Sequence, residues 1–220
     1  MNKALAILGK DVLSELRSKE IVVSILFFAL LVIVVFNFAF DPGEDTVKLV
    51  APGVLWVAFT FAGVLGLNRT FAVEKEKGCL EGLMLCPVDR AIIYWGKMAV
   101  SFIFMLAVEA VITPIFLLLF DLPLFVPELA LIAVLATVGF VSVGTLFSAL
   151  AASTRSRDIL LPILFFPIVI PVIISAVEAT QVAFDGKAFS DMVSWLGIMG
   201  AFDAVFLVVS TLVFEFVIEE

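Results

Sequence analysis

Histidine is missing from all 220 residues of this chain. Its absence removes the commonest metal ligand, the commonest axial ligand of haem iron and the usual general base. No Ser/His/Asp or Cys/His constellation can be assembled. Cysteine is limited to Cys79 and Cys86. Two sulfurs without an imidazole make a poor zinc site, and the reducing compartment expected for them argues against a disulfide. There is no GxxxxGKS/T loop, so ATP cannot be hydrolysed by that route. Basic residues are scarce too, with 13 Lys+Arg against 21 Asp+Glu and a formal charge of −8. That balance does not argue for a basic partner, and no nucleic-acid partner is expected. Neither a catalytic residue nor a metal site is expected, so the chain reads as a non-enzymatic part.

What fills the chain instead is apolar surface. Hydrophobic residues make up 63 % of it, and the mean hydropathy is +1.24. A soluble domain of this length could not cover so much apolar surface. Stretches of membrane-spanning length recur six times, at about 21–40, 49–67, 97–120, 128–151, 159–180 and 193–217. Backbone polar groups in hydrocarbon must be bonded within their own segment, so each stretch is predicted to be a helix. The fold class expected is an all-α integral membrane protein of six spans. They form one permease-like domain over 1–220, with no room for a second domain outside the bilayer.

The scarce positive charges orient the spans. Lys3, Lys10, Arg17 and Lys19 precede the first; Arg69, Lys75, Lys77, Arg90 and Lys97 lie at the second connection, and Arg155 and Arg157 at the fourth. These are eleven of the 13 Lys+Arg. The other connections hold only Lys48 and Lys187, and the C-terminal tail holds none. Positive residues mark the cytoplasmic side, so both termini are expected there, in a bacterial-type inner membrane. The first twenty residues are charged and patterned, unlike a cleavable signal peptide.

Two pieces outside the spans carry further information. Over 3–19, Leu5, Leu8, Val12 and Leu16 recur at helical spacing beside basic flanks. This predicts an amphipathic helix in the inner interface, serving either as a topology anchor or as a docking element. The second piece is EKEKGCLEGLMLCPVDR, 74–90. Leu80, Leu83, Met84 and Pro87 follow i, i+3, i+4, i+7 spacing, with acids upstream that suit a helix N-terminus. Pro87 stops the helix. Such a short cytoplasmic helix either plugs into a soluble partner's groove or floats among the headgroups.

Inside the spans, Glu109 lies near the middle of the third and Asp203 within the sixth. A mid-bilayer carboxylate costs several kcal/mol unless paired, hydrated or protonated. Each therefore either lines a transport route or clamps helices through a hydroxyl such as that of Thr113 or Ser101. The fifth span holds Pro162, Pro167 and Pro171. Each removes a helix bond, which predicts a kinked or broken segment, although proline is also simply better tolerated in membrane helices.

The segment Glu76–Pro87, EKGCLEGLMLCP, resembles the E-x-G-T-L-E-x-L-x-x-x-P element of ABC-2-type permeases. Ala51 to Ala58, APGVLWVA, followed by Leu65-Gly66-Leu67-Asn68-Arg69, resembles the second span of the cytochrome c maturation permease family CcmB. So do LSELRSKE at 13–20 and the Pro167-x-x-x-Pro171 spacing. The likeness covers essentially the whole chain, and APGVLWVA is its specific part. Lys77 stands where an acid is usual, Cys79 where Thr is usual and Cys86 where Ser is usual.

The resemblance implies the membrane half of an ABC complex. Two copies of the permease would pair with two CcmA-type ATPases, which bind the ATP. They would associate with CcmC, CcmD and the haem chaperone CcmE. Glu76, Gly78, Leu80, Glu81, Leu83, Met84, Leu85 and Pro87 would form the ATPase-coupling element. The output would be haem export, with haem as substrate, or release of haem-loaded CcmE from CcmC. The competing readings are a generic ABC-2 exporter of lipid, glycan or drug, and a structural assembly subunit with no route through it.

Overall fold

The computed structural model describes residues 19–39, 44–70, 89–152 and 157–219. Among them are six helices and no strand: α1 Lys19–Ala39, α2 Glu44–Thr70, α3 Arg90–Leu119, α4 Glu128–Ala152, α5 Arg157–Phe184 and α6 Phe189–Glu219. All six are long and apolar enough to cross a membrane. The interfacial helix predicted over 3–19 lies almost wholly outside the described residues, of which only Lys19 belongs to α1. The coupling element at 76–87 lies entirely outside them.

Most helices outrun the apolar runs that announce them. α3 starts at Arg90, seven residues before the predicted span, because Asp89 caps it. Asp89 has extended backbone, and its Oδ1 accepts from the Ala91 N–H at 3.0 Å. This satisfies one of the donors that a helix start leaves open. Lys97, expected at the membrane edge, therefore sits a turn or two inside the helix and is buried. At the other end Asp121 takes a left-handed backbone (φ 51°), while the Leu122 N–H bonds the Leu117 carbonyl at 2.9 Å. α5 closes in the same way. Gly186 has φ 61°, and the Lys187 N–H reaches the Val182 carbonyl at 3.2 Å. Both ends are Schellman closures, and the second carries α5 four residues past the span predicted to stop near 180.

α4 is the centre of the bundle. It packs on α3, α5 and α6 and also touches α2, whereas α1 sits at the edge against α2 and α3. Residues 139–146 of α4 are buried without interruption, as expected of a helix apolar on all sides. Small residues let its neighbours approach. A Cβ at Gly144 would meet the Leu67 side chain, and one at Gly63 of α2 would meet the Phe140 ring of α4. Close backbone approach of this kind holds membrane bundles together where the surrounding solvent is itself apolar.

Hydrogen bonds between helices fix the alternation of the chain. Asn37 Nδ2 donates to the Leu119 carbonyl at 2.8 Å, joining the C-terminal ends of α1 and α3. Ser148 Oγ donates to the Leu67 carbonyl at 2.5 Å, joining the C-terminal parts of α4 and α2. An Arg90 nitrogen approaches the Glu215 carbonyl at 3.4 Å, setting the start of α3 beside the end of α6. Odd helices thus run one way and even helices the other, as six successive crossings require.

α5 is one continuous helix through Pro162, Pro167 and Pro171. The expectation of a broken segment is not met. Pro167 and Pro171 lie four apart on an exposed face together with Ile163, Ile170 and Ile174. Their rings therefore face away from the core. Ser175 Oγ adds a bond to the Pro171 carbonyl at 2.8 Å.

Candidate functional site

The two intramembrane carboxylates are both buried, Glu109 to 3 % exposure and Asp203 to 6 %. Glu109 projects from α3 towards α4, where the Thr137 hydroxyl donates to its Oε1 at 2.7 Å. The partner is thus on a neighbouring helix, not on its own; the Thr113 and Ser101 pairings do not form. Thr137 departs from the habit of three other threonines in this bundle. Thr60, Thr180 and Thr211 each donate to the carbonyl four residues back, at 2.6, 2.7 and 2.6 Å. Thr137 spends its proton across a helix boundary instead, which makes the contact a clamp between α3 and α4.

The second oxygen, Glu109 Oε2, is buried and has no hydrogen-bond partner. Glu109 lines a cavity of about 10 Å³ where α2, α3, α4 and α5 meet. Trp56, Thr60, Met105, Thr137, Phe140 and Val172 contribute to its wall. That volume is about the space of one water molecule. Neither haem nor a lipid could pass through it in this conformation.

Asp203 reaches α4 from the opposite side. A Cβ at Gly139 would stand 2.5 Å from Asp203 Oδ1 and 3.2 Å from Val172 Cγ2. Asp203 Oδ1 is likewise buried without a partner. Thr137 and Gly139 are two residues apart, about 3 Å along the axis. The two carboxylates therefore meet α4 at nearly the same depth. Val172 of α5 serves both places, since it lines the Glu109 cavity and flanks Gly139. None of Pro162, Pro167 or Pro171 lines this cavity.

Trp56 is a residue of the cavity wall that residue-by-residue reading passes over. It is buried, and its indole Nε1 donates to Thr180 Oγ1 at 2.9 Å, tying α2 to α5. Thr180 passes its own proton to the Ala176 carbonyl. Tyr94 acts similarly between α3 and α4, donating from its hydroxyl to the Ser142 carbonyl at 3.0 Å. The signal was available in both cases: a buried indole or phenol needs an acceptor. Trp56 also lies inside the APGVLWVA run, so one residue of that run forms both a wall of the Glu109 cavity and a tie to α5.

Compared with known proteins, residues 2–219 match the family described as CcmB protein. The chain is 30 % identical to Heme exporter protein B of Pseudomonas aeruginosa, over 84 % of this chain and 83 % of that protein. It is 27 % identical to Heme exporter protein B of Haemophilus influenzae, over 89 % of each. With the protein of the same name from Bradyrhizobium diazoefficiens it shares 28 % identity, over 82 % of each.

Proposed function

The chain belongs to the CcmB family, and from that premise we propose that it is the permease subunit of an ABC-type haem exporter complex serving cytochrome c biogenesis. It is a multi-pass membrane protein. The observation that carries the reading is the reach of the likeness: the family match runs over 2–219, and relatives named Heme exporter protein B align over most of their length. The subunit is non-catalytic, and ATP is hydrolysed by a CcmA-type partner.

In this reading Glu76, Gly78, Leu80, Glu81, Leu83, Met84, Leu85 and Pro87 form the coupling helix seated in the ATPase. Closure of the ATPase dimer moves that helix, and the motion enters the bundle where it joins α2 and α3. Two copies of the chain assemble with two ATPases, CcmC and CcmD in the bacterial inner membrane, with both termini in the cytoplasm. The output is haem export or release of haem-loaded CcmE from CcmC. Release is the output we favour: a subunit that transmits motion needs no passage for haem, and the cavity beside Glu109 is not one. The lack of histidine fits the same choice, since no imidazole is present to ligate iron.

The test is the haem content of the CcmE-type chaperone in a strain lacking this gene. Under the release reading the chaperone is haem-loaded and remains with CcmC. Under the export reading it is empty. A chaperone that loads and discharges normally contradicts both.

A further inference from the structure

We propose that the cavity beside Glu109 is a proton-and-water site: the carboxyl is held neutral, and one buried water bridges its Oε2–H to Thr60. The inference stands on the packing of α2–α5 and does not depend on the assignment to haem export.

An ionised carboxylate presents about four lone-pair sites to be satisfied. Glu109 receives a single donor, the Thr137 hydroxyl on Oε1, while Oε2 is buried and unpartnered. A neutral carboxyl divides its needs in that same pattern. Its carbonyl oxygen accepts one bond, and its hydroxyl oxygen seeks an acceptor. The cavity that Glu109 lines has room for about one water. Such a water needs two to four polar partners, and the walls offer them. Glu109 Oε2–H donates to it. It donates to Thr60 Oγ1, whose own proton is committed to the Trp56 carbonyl. The Thr137 oxygen retains a lone pair for its second hydrogen.

Among the described residues, no cation is placed to hold Glu109 ionised. On its own helix, Lys97 lies twelve residues away, about 18 Å along the axis. α4 carries no ionisable residue after Glu128 at its start. On α2, Lys48 lies eight residues before Trp56 and twelve before Thr60, or about 12 and 18 Å along the axis, and Arg69 lies nine residues after Thr60, about 14 Å along it. α5 contributes Val172 and Ile173 to the cavity; its acid Glu178 is exposed, and its other charged residues are Arg157 and Asp158 at its start. The charge at this depth on α6 is another acid, Asp203, beyond Val172. Without a counter-charge, a carboxylate in hydrocarbon is far costlier than a neutral carboxyl.

Infrared spectroscopy of the full-length chain in phospholipid vesicles at neutral pH tests this. The native chain is expected to show the carbonyl stretch of a protonated carboxyl, which is lost in Glu109→Gln. Thr137→Val should keep the band but move it to higher frequency, because the donor to Oε1 is gone. Thr60→Val should remove a weakly bonded O–H stretch that exchanges in heavy water. Asp203→Asn identifies any band contributed by the second buried acid. Superimposable carboxyl bands in native and Glu109→Gln protein overturn the proposal. If Glu109→Gln does not insert, an unshifted band in Thr137→Val overturns it equally.

Discussion

Gly139 leaves the space that Asp203 occupies. A Cβ on α4 at this position would lie 2.5 Å from Asp203 Oδ1, 3.1 Å from Phe202 Cδ1 and 3.2 Å from Val172 Cγ2. Three neighbours from two helices would have to yield together. Gly139→Ala is therefore expected to destabilise the bundle by about 1–3 kcal/mol, as overpacking does. Thermal unfolding in detergent reads the effect. Because the closest of the three atoms belongs to Asp203, Asp203→Ala should recover part of the loss in the double variant, a coupling that distant sites do not show.

The indole of Trp56 both fills space and bonds to Thr180. Trp56→Phe keeps most of the apolar surface but leaves Thr180 without its donor. The bond lies between helices inside a membrane bundle, where such contacts average about 0.6 kcal/mol and reach about 1.7 kcal/mol. Loss of packing adds to this, so a fall in unfolding midpoint larger than that of Thr180→Val is expected. Equal midpoints for Trp56→Phe and the native chain would show that the tie carries no stability.

Asp185 and Lys187 form an exposed ion pair at 2.8 Å in the connection between α5 and α6. Hydrogen bonding to Lys187 holds the Asp185 carboxyl below its ordinary value, and the same bond raises Lys187. The sign of each contribution follows. The stabilisation from Asp185 is present above the unfolded value of about 3.9 and is lost as pH falls through the lowered folded value. That from Lys187 is present below about 10.4 and is lost as pH rises through the raised folded value. Between those limits the pair contributes no pH dependence, and its contribution is small because both groups meet water. Replacing Asp185 by Asn should leave the shape of the stability profile between pH 5 and 9 unchanged, as followed by unfolding midpoints.

Replacing Leu80, Leu83 and Met84 by Asp places charge on the apolar face of the proposed coupling helix. The expected outcome is a chain that inserts normally but no longer retains the ATPase on purification. Undiminished co-purification would remove these residues from the docking surface.

Much of this architecture was legible because membranes impose simple rules. Apolar runs gave six helices, and the Lys and Arg positions gave an alternation that the Asn37–Leu119 and Ser148–Leu67 bonds repeat in three dimensions. Helix ends were less legible, since hydropathy marks the hydrocarbon and not the helix. Capping by Asp89 and the left-handed Gly186 decided where α3 begins and α5 stops. Glu109 was legible as a buried acid, but its partner was not. Spacing along one helix can suggest Thr113 or Ser101, whereas Thr137 arrives only through the packing of α4 on α3. The direction in which the prolines of α5 face was not legible for a related reason. Their spacing puts Pro167 and Pro171 on one face, and only the packing shows that this face points outward.

The most direct test of the whole account is covalent haem staining of membrane c-type cytochromes in a strain deleted for this gene, with and without the gene on a plasmid. The account predicts that the haem-bearing bands disappear on deletion and return on complementation. Normal bands in the deleted strain would contradict a role in cytochrome c biogenesis.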